Sequence, residues 1–151
     1  DGGPLFLPGF AFTNRFIFSR DMARAFEALL LSEAPYGKTY NIGGAETLTL
    51  DDFVKLSARV MHREPEILYP DYRWLKENGF DFEASPFSMA GDFVLDVSKA
   101  EKELDWRATP ASAWLEETIN WYMFSYTGPA PKNYAARKAE LALAAKWKTR
   151  S

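Results

Sequence analysis

Tyr72 and Lys76 stand four residues apart in the run YRWLK. On a helix, that spacing sets an ammonium one turn from a phenol, where its charge lowers the phenol pKa and readies it for proton transfer. The surroundings argue against a catalytic pair. Seven tyrosines in 151 residues make an accidental match common. A proline-flanked loop precedes Tyr72, where a strand bearing a catalytic serine would be needed. Tyr72 and Lys76 read instead as part of a surface or lid element.

Gly43 and Gly44 raise a second question, because they close the run YGKTYNIGG just before a helix-like segment. A dinucleotide cradle needs G-x-G-x-x-G between a strand and its helix, so that backbone N–H groups face a pyrophosphate. Here the glycines are adjacent and no third follows at the right distance. Thr49-Leu50-Asp51-Asp52 already has the capping-box spacing, and two acids in the first turn suit the positive end of the helix dipole. The expectation is a strand end beside a capped helix, bordering a ligand pocket without carrying a pyrophosphate. Arg15 stands before the apolar run RFIFS, where a guanidinium could clamp a phosphate bidentately or stay solvated. His62, the one histidine, sits at a helix end beside Arg63, where a cation suits the dipole. No catalytic partner for it can be named.

Several elements must position these residues. PLFLPG reads as a short extended segment and RFIFS as a strand. Ser19 is placed to cap a helix from about Arg20 to Leu31, with Met22, Phe26, Leu29 and Leu30 on its apolar face. KTYNIGG is a strand signal. The helix begun at Thr49 carries Phe53, Leu56 and Val60, and PEILYP is a further strand. A short helix is expected over Tyr72 to Glu77, a strand over DFVLD and a charged helix over SKAEKEL. Thr109-Pro110 is a cap-then-first-turn start for a helix bearing Trp114, Leu115, Thr118 and Tyr122. An Ala-rich helix follows from about Asn133 to Lys148. Phe26, Leu29, Phe53, Leu56, Trp106 and Trp114 are the expected core. Strands alternating with helices make the fold class α/β.

Bulk properties narrow the function classes. The chain is 47% hydrophobic and 16% aromatic, enough to build a core. Lacking cysteine and holding one histidine, it excludes disulfides and thiolate or His-rich metal sites. No apolar run approaches the roughly 18 residues of a membrane span, so the expectation is a soluble, cytoplasmic protein with no membrane partner. Net charge is -3, yet Lys132, Arg137, Lys138, Lys146, Lys148 and Arg150 face only Glu140 in the tail. Such a tail suits RNA or a membrane surface, or, as the favoured reading, a solvated helix face or a homo-oligomer contact. Asp1 in place of Met, with the opening DGGPLFLPG, leads us to expect a piece of a longer protein.

The order of the segments is more specific than any one of them. RFIFSRDMARAFEALL, GKTYNIGGAETLTLDDFVKL, PEILYP and FVLDVSKAEKELDWRATPASAWLEETINWY follow one another over nearly all of residues 4 to 124. This series resembles the C-terminal half of extended short-chain dehydrogenases, the group that includes NAD-dependent nucleotide-sugar epimerases and dehydratases. The resemblance implies a Rossmann-like parent, with YNIG as a late sheet strand and RFIFS and DFVLD as a parallel pair in a small substrate-binding lobe. It divides the chain into a lobe over residues 1–128 and a basic helix over 129–151.

It also implies that the Gly-rich loop for NAD or NADP and the catalytic Ser, Tyr and Lys lie in the N-terminal half of the parent, which would be a partner of this segment. No catalytic residue, no metal site and no cofactor site is then expected in this chain, which alone would be inactive. Arg15 matches an arginine that holds the substrate diphosphate in the epimerases, and Asn41 falls at the strand end beside the substrate; both are expected substrate contacts. A second family arginine has no counterpart in SPFSMAGDFVLD. That stretch and the extra tail resemble the divergent branch containing chloroplast stem-loop RNA-binding proteins. The alternative is thus a non-catalytic RNA-binding or assembly protein on the same fold, which the acidic body of the chain disfavours.

Overall fold

The computed structural model describes residues 2–7, 9, 12–32, 36–80, 91–129 and 136–150. Among these, the chain runs β1 (Leu5–Phe6), β2 (Thr13–Asn14), α1 (Ser19–Leu31), β3 (Leu48–Thr49), α2 (Leu50–Val60), β4 (Ile67–Leu68), α3 (Tyr72–Glu77), α4 (Ser98–Glu103), α5 (Ala111–Phe124) and α6 (Arg137–Lys148). β1 and β4 pair in parallel, Leu5 opposite Ile67. β2 and β3 pair antiparallel, Thr13 opposite Thr49. Two-residue strands give little ladder, so side-chain packing between the helices must hold the architecture.

Helix starts follow local chemistry where a capping residue is at hand. Thr49 Oγ1 accepts from the Asp52 N–H at 3.0 Å while Asp52 accepts from the Thr49 N–H at 3.2 Å, the reciprocal box expected for α2. Asp71 caps α3 by accepting from the Trp74 N–H at 2.8 Å. α2 ends where His62 takes a left-handed φ of 52° and the Arg63 N–H reaches back to the Ala58 carbonyl at 2.9 Å. That is the carbonyl-satisfying closure in which glycine is usual. His62 therefore marks a helix stop.

Three expectations are corrected here. Ser19 does not cap α1: Phe18 is the flanking residue, its carbonyl accepting from the Asp21 and Met22 N–H groups, and no side chain caps the end. Thr109 does not cap α5 either. Pro110 flanks that helix, and the Ala111 N–H is taken by the Glu46 carboxylate at 3.0 Å, from 65 residues away. Phe26, expected in the core, is 60% exposed. The inward stripe of α1 is Asp21, Ala25, Ala28 and Leu29, and Phe26 lies about 100° around the helix from Ala25. Trp106 and Trp114 are buried as expected, and Leu29, Phe53 and Leu56 pack half-buried against core clusters.

RFIFS and KTYNIGG alternate like strands but join no ladder among the described residues. Phe16 and Phe18 pack toward Trp114, while Ile17 packs toward Trp106. The alternation is satisfied by side-chain packing on both sides. The expected parallel pairing between the RFIFS and DFVLD regions reduces to one parallel bridge, Asn14 to Phe93. The Phe93 N–H donates to the Thr13 carbonyl at 2.8 Å, and Asp92 accepts from the Thr13 hydroxyl at 2.6 Å.

The last helix returns to the first strand. Phe6, Trp74, Leu75 and Ala144 form one buried cluster, with the Trp74 and Trp147 rings 4.8 Å apart at 65°. The Phe6 N–H, which points away from β4, donates to Glu140 at 3.0 Å. Arg137 donates to the Pro4 carbonyl at 2.7 Å and pairs with Glu140 at 2.6 Å. The start expected for this helix, near Asn133, falls outside the described residues.

Candidate functional site

Residues 15–16, 41–44 and 96–97 converge. α4 holds the middle segment in place. Lys99 Nζ donates to the Thr39 carbonyl at 2.8 Å and lies 4.6 Å from the centre of the Tyr40 ring. Glu103 accepts from Tyr40 Oη at 2.8 Å and pairs with Lys38 at 2.9 Å. Asn41 Nδ2 donates to the Asp96 carbonyl at 3.1 Å. The Asp96 carboxylate caps α4 by accepting from the Ser98 N–H at 3.0 Å. Hydrogen bonds from Ser98, with a smaller contribution from the Arg15 charge, hold the Asp96 carboxyl below its usual range.

The glycine pair has a packing role. A Cβ on Gly44 would come within 1.8 Å of the Phe16 carbonyl oxygen, so only glycine lets these two backbones meet. A Cβ on Gly43 would lie 3.1 Å from Arg15 Cδ and 3.3 Å from Val97 Cγ1. The Arg15 side chain thus runs over Gly43 beside Val97, near Asp96. Arg15 Nε is buried and has no hydrogen-bond acceptor among the described residues. A buried N–H left in this state normally finds an acceptor in water or a ligand.

Arg15 and Asn41, the two expected substrate contacts, are therefore brought to one place, joined by Asp96. Sequence reasoning missed Asp96, Val97 and the close fit over Gly43. Tyr72 and Lys76 are elsewhere: both are exposed on α3, whose buried residues are Trp74 and Leu75. Residues 85–90 of SPFSMAG, where a second arginine was sought, lie outside the described residues.

The helix starts among the described residues are occupied by acidic groups. A dinucleotide sets its pyrophosphate on an open helix N-terminus. The starts of α2, α3, α4 and α5 already hold Asp52, Asp71, Asp96 and Glu46, and α1 and α6 carry Asp21 and Glu140 in their first turns. Among the described residues no group of three metal-ligating side chains is found, and no helix is long and apolar enough to cross a membrane. Three of the tail's exposed bases contact the rest of the chain at its surface. Lys146 bonds Asn78 and Lys148 pairs with Glu66, each at 2.6 Å. Arg150 lies over the Trp74 and Trp147 rings.

No family model and no curated protein matches the sequence. Solved structures do. UDP-glucuronic acid 4-epimerase from Bacillus cereus, in complex with UDP-glucuronic acid and NAD, aligns with a TM-score of 0.60 and 21% identity over 82% of this chain and 36% of its own. dTDP-glucose 4,6-dehydratase from Bacillus anthracis, in complex with NAD, aligns with a TM-score of 0.60 and 22% identity over 82% and 36%. UDP-glucose 4-epimerase from Thermotoga maritima, with UDP-glucose, gives 0.58 and 17% over 81% and 35%. The chain thus spans about a third of the length of the structures it matches. Over that share the chain has the fold of these epimerase and dehydratase structures.

Proposed function

We propose that this chain is the substrate-binding segment of an NAD(P)-dependent, nucleotide-sugar epimerase- or dehydratase-like enzyme, with Arg15 and Asn41 contacting the substrate. The cofactor loop and the catalytic Tyr and Lys belong to the N-terminal half of the parent. The observation that carries this is the Arg15 N–H, buried without an acceptor where Asn41, Gly43 and Asp96 meet. A diphosphate oxygen supplies the missing acceptor, and a charge-assisted bond there contributes about 1.5–3 kcal/mol. The net negative charge of the chain favours this small-molecule reading over RNA. Phe26, Leu30, Leu31 and Tyr36, all largely exposed, are the face we assign to the N-terminal half.

The test is a titration of the isotopically labelled chain with UDP, followed by the Arg15 Nε–H resonance. We expect a saturable shift that Arg15→Ala abolishes and a stem-loop RNA does not reproduce. UDP leaving that resonance unmoved overturns the reading. Separately, titration with NADH and NADPH is expected to give no saturable binding in the low micromolar range. One-to-one binding there would reveal a cofactor site in this chain.

A further inference from the structure

Resting on the reading of Arg15 as an anion contact, we propose that Gly43 and Val97 form a steric clamp that fixes the Arg15 guanidinium, making Gly43 a positioning residue of the site. An arginine side chain has several rotatable bonds, and holding it in one geometry is entropically unfavourable. Here the stem already lies along Gly43 before any ligand arrives. Positions where a Gly43 Cβ would stand are 3.1 Å from Arg15 Cδ, 3.4 Å from Arg15 Cγ and 3.3 Å from Val97 Cγ1. The contacts to Arg15 Cδ and Val97 Cγ1 are tighter than ordinary and that to Arg15 Cγ is at the edge of ordinary contact, so the stem fills the space that a side chain at 43 would need. Gly44 closes the same site from behind by meeting the Phe16 backbone. Asp96 adjoins Val97, its carboxylate already accepting from the Ser98 N–H. Preorganisation of this kind raises affinity by removing an ordering cost from the binding step.

Glycine at 43 is not there for backbone freedom, since positive φ among the glycines occurs at Gly2, Gly37, Gly79 and Gly91. Gly43→Ala is therefore compatible with the backbone, and any effect must come through Arg15 and Val97. Two readouts separate the clamp from the site. In the free protein, Arg15 Nε–H exchange with solvent is expected to quicken severalfold in Gly43→Ala and in Val97→Ala. The second variant removes a wall and so cannot overpack. With UDP and inorganic pyrophosphate as probes, Gly43→Ala is expected to weaken binding about tenfold, the loss of one well-placed charge-assisted bond. The backbone amide spectrum should remain that of the wild-type fold.

If Arg15→Ala abolishes binding while Gly43→Ala binds as wild type, the clamp is overturned and the anion site stands. Should neither probe bind, the site reading fails, and the exchange measurement still decides the clamp. Unchanged exchange in both variants overturns it.

Discussion

Asp21→Ala is expected to destabilise the chain by about 3 kcal/mol, measured by denaturant or thermal unfolding. The carboxylate is 1% exposed and accepts from the Thr109 N–H at 2.6 Å, from Thr109 Oγ1 at 2.7 Å and from Arg24. The Asp21 carbonyl also accepts from Trp106 Nε1 at 3.1 Å. One residue thereby ties α1 to the 106–109 segment, and its loss leaves the Thr109 N–H without that acceptor. Burial pushes the carboxyl up, but the Thr109 and Arg24 hydrogen bonds and the Arg24 charge outweigh it and hold Asp21 below its usual range. A depressed folded pKa contributes stability that is fully present above the unfolded value of about 3.9 and is lost as pH falls through the folded value. The stability gap between wild type and Asp21→Asn should accordingly be widest near neutral pH and narrow in acid. A gap that stays constant into strong acid would show that ionisation is not its source.

Trp114→Ala should cost roughly 3–5 kcal/mol, while Phe26→Ala should cost less than about 1 kcal/mol. Both residues look alike from helical spacing. Trp114 is buried among Phe16, Phe18, Phe53 and Leu56, its ring stacked 6.1 Å from Phe18 and tilted 6.1 Å from Phe53. Removing it opens a cavity that joins α2, α5 and the segment before α1. Phe26 is exposed, and its removal opens none. Equal losses in the two variants would place Phe26 against a protein surface in solution, through self-association, and the dependence of the unfolding midpoint on concentration would show it.

Short-range chemistry was legible in the sequence. Thr49 and Asp52 are three residues apart and cap each other, and α3 spans Tyr72 to Glu77 as its spacing predicts. Arg15 and Asn41 were expected as substrate contacts through the resemblance, and both lie beside Asp96. What escaped depends on contacts across long separations. Glu46 caps α5 from 65 positions away, so no window of sequence contains both partners. Thr109 has the look of a cap, but Asp21 claims its hydroxyl. RFIFS and KTYNIGG have the alternation of strands, and alternation reports only that two faces differ. Whether a neighbouring strand lies alongside is a property of the assembly. The glycine pair illustrates the same limit: sequence excluded a phosphate loop there, but only coordinates reveal that Phe16 and Arg15 fill the space.

The bond from Phe6 to Glu140 bears on how the chain avoids its own kind. β1 is paired on one side, and the N–H on its other side would ordinarily be a template on which a stray strand could nucleate. α6 lays a carboxylate on that N–H and an arginine on the neighbouring carbonyl, so the foreign strand meets charge where it would need bare backbone. α6, contributing Glu140 from 134 positions along the chain, thus acts as a seal against edge-to-edge aggregation, and during synthesis the strand stays unsealed until that helix has emerged.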